Sequence, residues 1–305
     1  MRNYKLTTAI SLIAAAIIVF SCKTKFDTTR ATYTAEKSPE AFARGKILVY
    51  SICGGCHYNR EAKKFIGTPI HEVPSIVGNV YSANLTNSKS HGIPPHYSDA
   101  ELKYLLKTGI ARDGRFVSYM LRPNMSDEDL NAVITYLRSD DPAITADDTT
   151  IGLTKYSVAG KIIMNAMAKP LPYKPGIRTP SRKDERALGA YLVDNIGCFH
   201  CHSKSLTSLN YLNPEDSKGY MAGGLKFEDP AGLKVYASNL TPDKGTGIGN
   251  YTKIQFLKAV KDGEAPNRKL HAPMPKFEQL NDRDVDAIYT YLQTVPANEH
   301  KVQGQ

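Results

Sequence analysis

Polar caps and apolar stripes recur twice along this chain at helical spacing. Leu130, Val133, Ile134 and Leu137 follow Ser126 and Asp129, and Val285, Ile288, Tyr289 and Leu292 follow Asn281 and Asp284 at the same intervals. Positions i, i+3, i+4 and i+7 share one helix face, so each run predicts an amphipathic helix buried along that face. A shorter stripe lies upstream of each. Ser98 and Glu101 precede Leu102, Leu105 and Leu106; Thr252 and Gln255 precede Phe256, Ala259 and Val260. Both match a capping-box start and end on a glycine (Gly109, Gly263) 11 residues after the cap. Further helices are read from about Pro39 to Ser51 and from Lys183 to Asn195, and the last stripes are expected to pack on them.

The words between these stripes repeat as well. Val80-Tyr81-Ser82-Ala83-Asn84-Leu85-Thr86 returns as Val235-Tyr236-Ala237-Ser238-Asn239-Leu240-Thr241, and a Gly-Ile pair follows each. Self-similarity of this kind marks a duplicated unit. The chain therefore reads as all-α, a tandem pair of domains of ~100 residues with negligible strand content. Expected boundaries are domain 1 at 39–140, a linker at 141–182, domain 2 at 183–298 and a tail at 299–305. Pro170, Pro172, Pro175 and Pro180 make the second half of the linker extended and stiff, and Lys161 to Ala168 suits a short helix against one domain.

Composition, with 41% hydrophobic and 23% charged residues, excludes a disordered or wholly membrane-embedded chain. The N-terminus is different. Arg2 and Lys5 precede an uncharged run from Leu6 to Cys22, too short to span a bilayer and flanked like an export signal. The run closes in Val19-Phe20-Ser21-Cys22, which resembles a bacterial lipobox; on that reading residues 1–21 are a lipoprotein signal peptide, Cys22 is acylated, and polar residues 22–38 form a tether. An uncleaved anchor and a soluble secreted form with a free Cys22 thiol are the alternatives. The expected location is the periplasmic side of a bacterial membrane. Net charge is +9 overall and +7 from Cys22 onward, which suits an acidic partner, an anionic membrane or simply a solvated surface. No nucleic-acid partner is expected.

The remaining four cysteines form two pairs, Cys53-Gly54-Gly55-Cys56-His57 and Cys198-Phe199-His200-Cys201-His202. Cys-x-x-Cys-His is the attachment pattern of haem c: two thiols add to the vinyl groups and the histidine ligates iron. A redox disulfide and a four-cysteine zinc site are the competing readings of such pairs. Two copies at the head of the same downstream pattern favour haem, so two covalently bound haem c groups are expected, on Cys53 and Cys56 and on Cys198 and Cys201, with His57 and His202 as axial ligands.

Methionine is a common sixth ligand and raises the reduction potential. Met274, in Pro273-Met274-Pro275, lies seven residues before the Asn281 cap; Met120 lies six before the Ser126 cap but lacks flanking prolines. These two are the expected distal ligands. Met164, Met167 and Met221 read as core filler and Met125 as a hydrophobic staple. His71, His91, His96 and His271 are rivals better read as surface or propionate-contacting residues, and His200 sits inside an attachment loop.

With "VYSANLT", "VYASNLTPDKGTGIG", "APMP" and "LNDRDVDAIYTYLQTVP" after the attachment motifs, residues 40–140 and 183–297 resemble the cytochrome c subunits of membrane-bound quinoprotein alcohol and gluconate dehydrogenases. The resemblance implies class I-like cytochrome c domains passing electrons from a dehydrogenase or quinol oxidiser toward a terminal acceptor. That family usually carries three haem domains, where this chain has two motifs. Arg268, Lys269 and Lys276 are candidates to rim the exposed haem edge and meet an acidic redox partner. The alternative is a dihaem cytochrome c peroxidase with the first haem as the reactive site; a haem-based gas sensor would need an output domain.

Overall fold

The computed structural model describes residues 32–305 apart from Glu72, Met167 and Pro230. The expected signal peptide and Cys22 lie outside the described residues, as does Met167. Ser38 caps helix α1 (Pro39–Leu48) by accepting from Ala41 N, with proline in the first turn where its missing N–H has no consequence. The chain then passes through a π-type turn (Val49–Cys53) straight into α2 (Gly54–His57), so the expected end of this helix at Ser51 falls inside the turn. Helix α3 (Asp99–Thr108) has both arms of its capping box in place and stops at Gly109, whose φ of 76° needs a residue without Cβ. Helix α4 (Asp127–Leu137) starts on the Ser126 cap and packs along α1.

The C-terminal half repeats this plan. Helix α6 (Glu185–Ile196) leads through Gly197 into α7 (Cys198–His202); α8 (Lys253–Asp262) has a complete Thr252–Gln255 capping box, and α9 (Asp282–Leu292) packs along α6. At both crossings a glycine lets the helices touch. A Cβ on Gly45 would overlap the carbonyl of Ala132, and one on Gly189 that of Ala287. The cores lie beneath these crossings: Leu48, Phe65, Leu130 and Tyr136 in one half, Leu192, Phe199, Val285 and Leu292 in the other.

Strand structure among the described residues is confined to three antiparallel ribbons of two or three residues: β1 (Gly78–Asn79) with β2 (Lys155–Tyr156), β3 (Lys226–Glu228) with β4 (Lys234–Tyr236), and β5 (Glu264–Ala265) with β6 (Arg268–Lys269).

The segments read as connectors are docked. Ala35 is buried, its N–H donating to Asp99, while Tyr33 and Glu36 both donate to Asn131. Ala143 and Ile144 belong to the first core. Helix α5 (Val158–Ala166) begins three residues before the expected Lys161 and lies on the Ser75–Val77 turn. The proline-rich stretch is held against α3 and α4: Leu171 N donates to Thr108, Tyr173 stacks on Tyr104, and Asp127 N donates to Ile177 O. The final residues fold back too, with Val302 buried and the Gln305 amide bonded to the backbone of Asn239.

A polar network joins the halves. Arg44 forms a fork with Asp129 (both contacts 2.9 Å) and reaches Asp284 at 3.0 Å; Tyr191 O–H donates to Asp129 at 2.8 Å. Asp129 and Asp284 hold the same capping position in α4 and α9. No helix among the described residues is long and apolar enough to cross a membrane.

Candidate cofactor site

Each histidine that follows a cysteine pair is set by the repeated Asn-Leu-Thr word. His57 Nδ1 lies 2.7 Å from Ala83 O, and His202 Nδ1 lies 2.7 Å from Ser238 O. A carbonyl can only accept, so in both rings Nδ1 carries the proton and Nε2 the lone pair. That is the tautomer of a metal-ligating imidazole with its orienting partner. Burial lowers both imidazole pKa values, against the opposing carbonyl bond, and keeps the rings neutral. The carbonyls are fixed in turn. Asn84 Oδ1 accepts from Thr86 N and Oγ1 while its Nδ2 donates to Asp147 O; Asn239 does the same with Thr241 and Asn298 O.

The cysteines of each pair stand three residues apart on a short helical run, one half-buried (Cys53, Cys198) and one exposed (Cys56, Cys201). Burial pushes the Cys53 and Cys198 thiols up to about 12. In the first motif the Cys56 carbonyl accepts from Thr68 and Ser82 hydroxyls, both at 2.6 Å, which ties the motif to the loop that orients His57. Neither pair is closed as a disulfide. Among the described residues no group of three or more His, Cys, Asp and Glu converges as a metal cage would, so the four cysteines do not gather round one zinc ion. Two sulfurs on one helical turn followed by a buried, carbonyl-oriented imidazole suit a covalently tethered haem.

The methionine loops lie between α3 and α4 and between α8 and α9. Met120 ends a short 3-10 turn (Ser118–Met120), and Arg122 N anchors that loop to Leu106 O. Met274 packs against the second core, and Phe277 N anchors its loop to Val260 O. Both methionines are half-buried. Met125 and Met221 are fully buried and Met164 half-buried on α5. His71, His91, His96 and His271 are exposed, whereas His200 is packed against Phe199 and Tyr211.

One expected docking cation has another role. Arg268 donates to Ser238 Oγ at 2.6 Å and Gly304 O at 2.7 Å, bracing the residue whose carbonyl holds His202; Lys269 and Lys276 are exposed.

The two sites face each other across the joint. A Cβ on Gly55 would lie 3.8 Å from Pro275 of the opposite methionine loop. Reciprocally, Asn124, just after the first methionine loop, donates to Asp194 Oδ2 (2.8 Å), Tyr211 O and Leu212 O. Burial pushes Asp194 up to about 6. Arg122, Asn124 and Asp194 went unmarked by sequence reasoning, the only signal being polar side chains crowded after Met120.

No family model matches the chain. The chain is 26% identical, over 99% of its length, to the fructose dehydrogenase cytochrome subunit of Gluconobacter japonicus, of which it covers 62%. It is 24% identical over its full length to the cytochrome c subunit of the quinone alcohol dehydrogenase of Gluconobacter oxydans, covering 63%. Over 34% of its length it is 37% identical to the gluconate 2-dehydrogenase cytochrome c subunit of Pantoea cypripedii, covering 22%. The chain thus spans about three fifths of the first two relatives, and these three relatives are cytochrome subunits of fructose, alcohol and gluconate dehydrogenases.

Proposed function

We propose that this chain is a two-haem electron carrier in which each half is a c-type cytochrome domain. The carrying observation is the doubled arrangement of Cys-x-x-Cys-His with its imidazole Nδ1 tied to a backbone carbonyl. Cys53, Cys56, Cys198 and Cys201 would hold the haems covalently, His57 and His202 would ligate iron on one side, and Met120 and Met274 on the other. Bound haem supplies the one-electron chemistry. The protein supplies burial, axial ligation and a fixed orientation of each imidazole. Because the relatives are named as dehydrogenase subunits, the donor is read as a dehydrogenase and the acceptor as a later carrier or oxidase. The workplace is the periplasmic face of a membrane, reached through acylated Cys22.

Intact mass and spectra of the chain exported from a haem-maturing bacterial host test this reading. Two haems per chain, an added diacylglycerol and low-spin spectra are expected. His57→Ala and His202→Ala should each lose one low-spin haem signal; Met274→Ala should turn one haem high-spin while leaving its covalent attachment intact. A chain that leaves the host without covalent haem overturns the proposal, and a high-spin haem with rapid peroxide turnover in the unaltered protein would move it to the peroxidase.

A further inference from the structure

Arg122 is buried where the halves meet, 7% exposed, two residues after Met120. Its Nη1 donates to Leu121 O at 2.6 Å, its Nη2 would lie 3.5 Å from a Cβ on Gly197 of the other half, and its Nε has no partner among the described residues. The neighbouring carboxylate, Asp194, is bonded to Asn124. A buried guanidinium without a close counter-ion costs several kcal/mol, in contrast to Arg44, which has two carboxylates. Lys276, two residues after Met274, is the positional counterpart and is exposed. Of the two counterparts, Arg122 alone is buried. Arg122 follows Met120 by two residues in one site, and its Nη2 approaches Gly197, which directly precedes Cys198 of the other, so its charge stands beside both sites.

We propose that Arg122 is a positioning charge shared by both haem sites, which raises the reduction potential of the two haems together. This rests on the reading of both motifs as haem sites. A ferric haem that gains an electron loses one unit of positive charge, so a fixed cation beside it favours the reduced form. Low surrounding polarity strengthens the effect. A single cation between two such groups shifts both in the same direction and keeps their potentials close, which suits passage of electrons from one to the other. Burial lowers the Arg122 pKa, but a guanidinium starts so far above neutrality that it keeps its charge at neutral pH.

Spectroelectrochemical titration of the haem-loaded full chain is the test, after haem stoichiometry has been fixed by mass. Fewer than two haems in the unaltered protein refutes the functional reading itself; two haems with potentials that ignore residue 122 refutes only this inference. Arg122→Met should weaken electron affinity about tenfold at both haems, a fall of about 59 mV in each midpoint potential. Arg122→Lys, titrated at a pH low enough to keep a buried ammonium protonated, should recover most of that, and Lys276→Met should shift neither haem comparably. A shift at one haem alone, no shift, or an equal fall in Arg122→Lys overturns the proposal. If Arg122→Met fails to load haem, Arg122→Gln carries the same expectation. If neither neutral variant loads both haems while Arg122→Lys does, the residue is structural and the proposal fails.

Discussion

Asp194 shows how one buried group couples the joint to pH. Its folded pKa, about 6, stands above the ordinary value of 3.8 because burial penalises the carboxylate more than Asn124 and the Arg122 charge favour it. Between those values the folded state keeps a proton that the unfolded state has lost. Its contribution to stability is therefore complete below about pH 4 and declines as pH rises toward 6. The two-unit span corresponds to about 3 kcal/mol. Asp194→Asn still accepts from Asn124 but cannot ionise. Denaturant unfolding of both proteins from pH 4 to 7 should show the variant gaining on the parent by up to about 3 kcal/mol as pH rises. Asp141, lowered by its Lys46 hydrogen bond although burial opposes it, acts in the reverse sense but is common to both proteins and cancels. A pH-independent difference would refute the assignment. At this scale the sequence was uneven as a guide. His57 and His202 stood out because each closes a five-residue Cys-x-x-Cys-His word. The Ala83 and Ser238 carbonyls were visible only as part of a repeated word. Arg122 was hidden, since its burial depends on residues of the other half.

Helices whose boundaries are local events were the easiest elements to read. Ser98 with Glu101 and Thr252 with Gln255 form complete capping boxes, and Gly109 and Gly263 end those helices with positive φ, as their spacing implied. The short ribbons were not legible, because two or three paired residues leave no periodicity and their pairing is imposed by tertiary contact. Nor were the glycines at the crossings, which in sequence are merely weak spots in helical runs. Gly45→Ala and Gly189→Ala separate these effects. Alanine is the better helix former by roughly 1 kcal/mol, so local propensity alone predicts a more stable protein. The added Cβ would meet the carbonyl of Ala132 or Ala287, neither of which can move without its helix. Overpacking of this kind costs typically 1–3 kcal/mol and occasionally more. Each variant should therefore lower Tm by several degrees, and an unchanged or raised Tm would show that the helices are free to part.

On the scale of the whole molecule, a sequence of two units with a proline-rich link suggests two bodies that could move apart, yet the observed joint is built from charges that cannot be left alone. Asp129 and Asp284 are buried, and each is needed twice, once as a helix-capping residue and once as a partner of Arg44. Separation of the halves would keep the fork with Asp129 but break the bond from Arg44 to buried Asp284 and the bond from Tyr191 to buried Asp129. Ile47 and Ile52 add apolar contact by packing into the second core. The halves are therefore expected to unfold together, in one calorimetric transition whose measured and van't Hoff enthalpies agree. Arg44→Met tests the source of that coupling. Removing one partner of a buried pair commonly costs 3–5 kcal/mol. Here the loss should fall near the lower figure, because Asp284 keeps Arg182 at 3.1 Å and Asp129 keeps the Tyr191 hydroxyl. The variant should melt at lower temperature and with a broadened or divided transition. On the two-haem proposal, the haem signals of the halves would then be lost at different temperatures, whereas a single sharp transition at the parental Tm would show that apolar contact alone holds the halves in register.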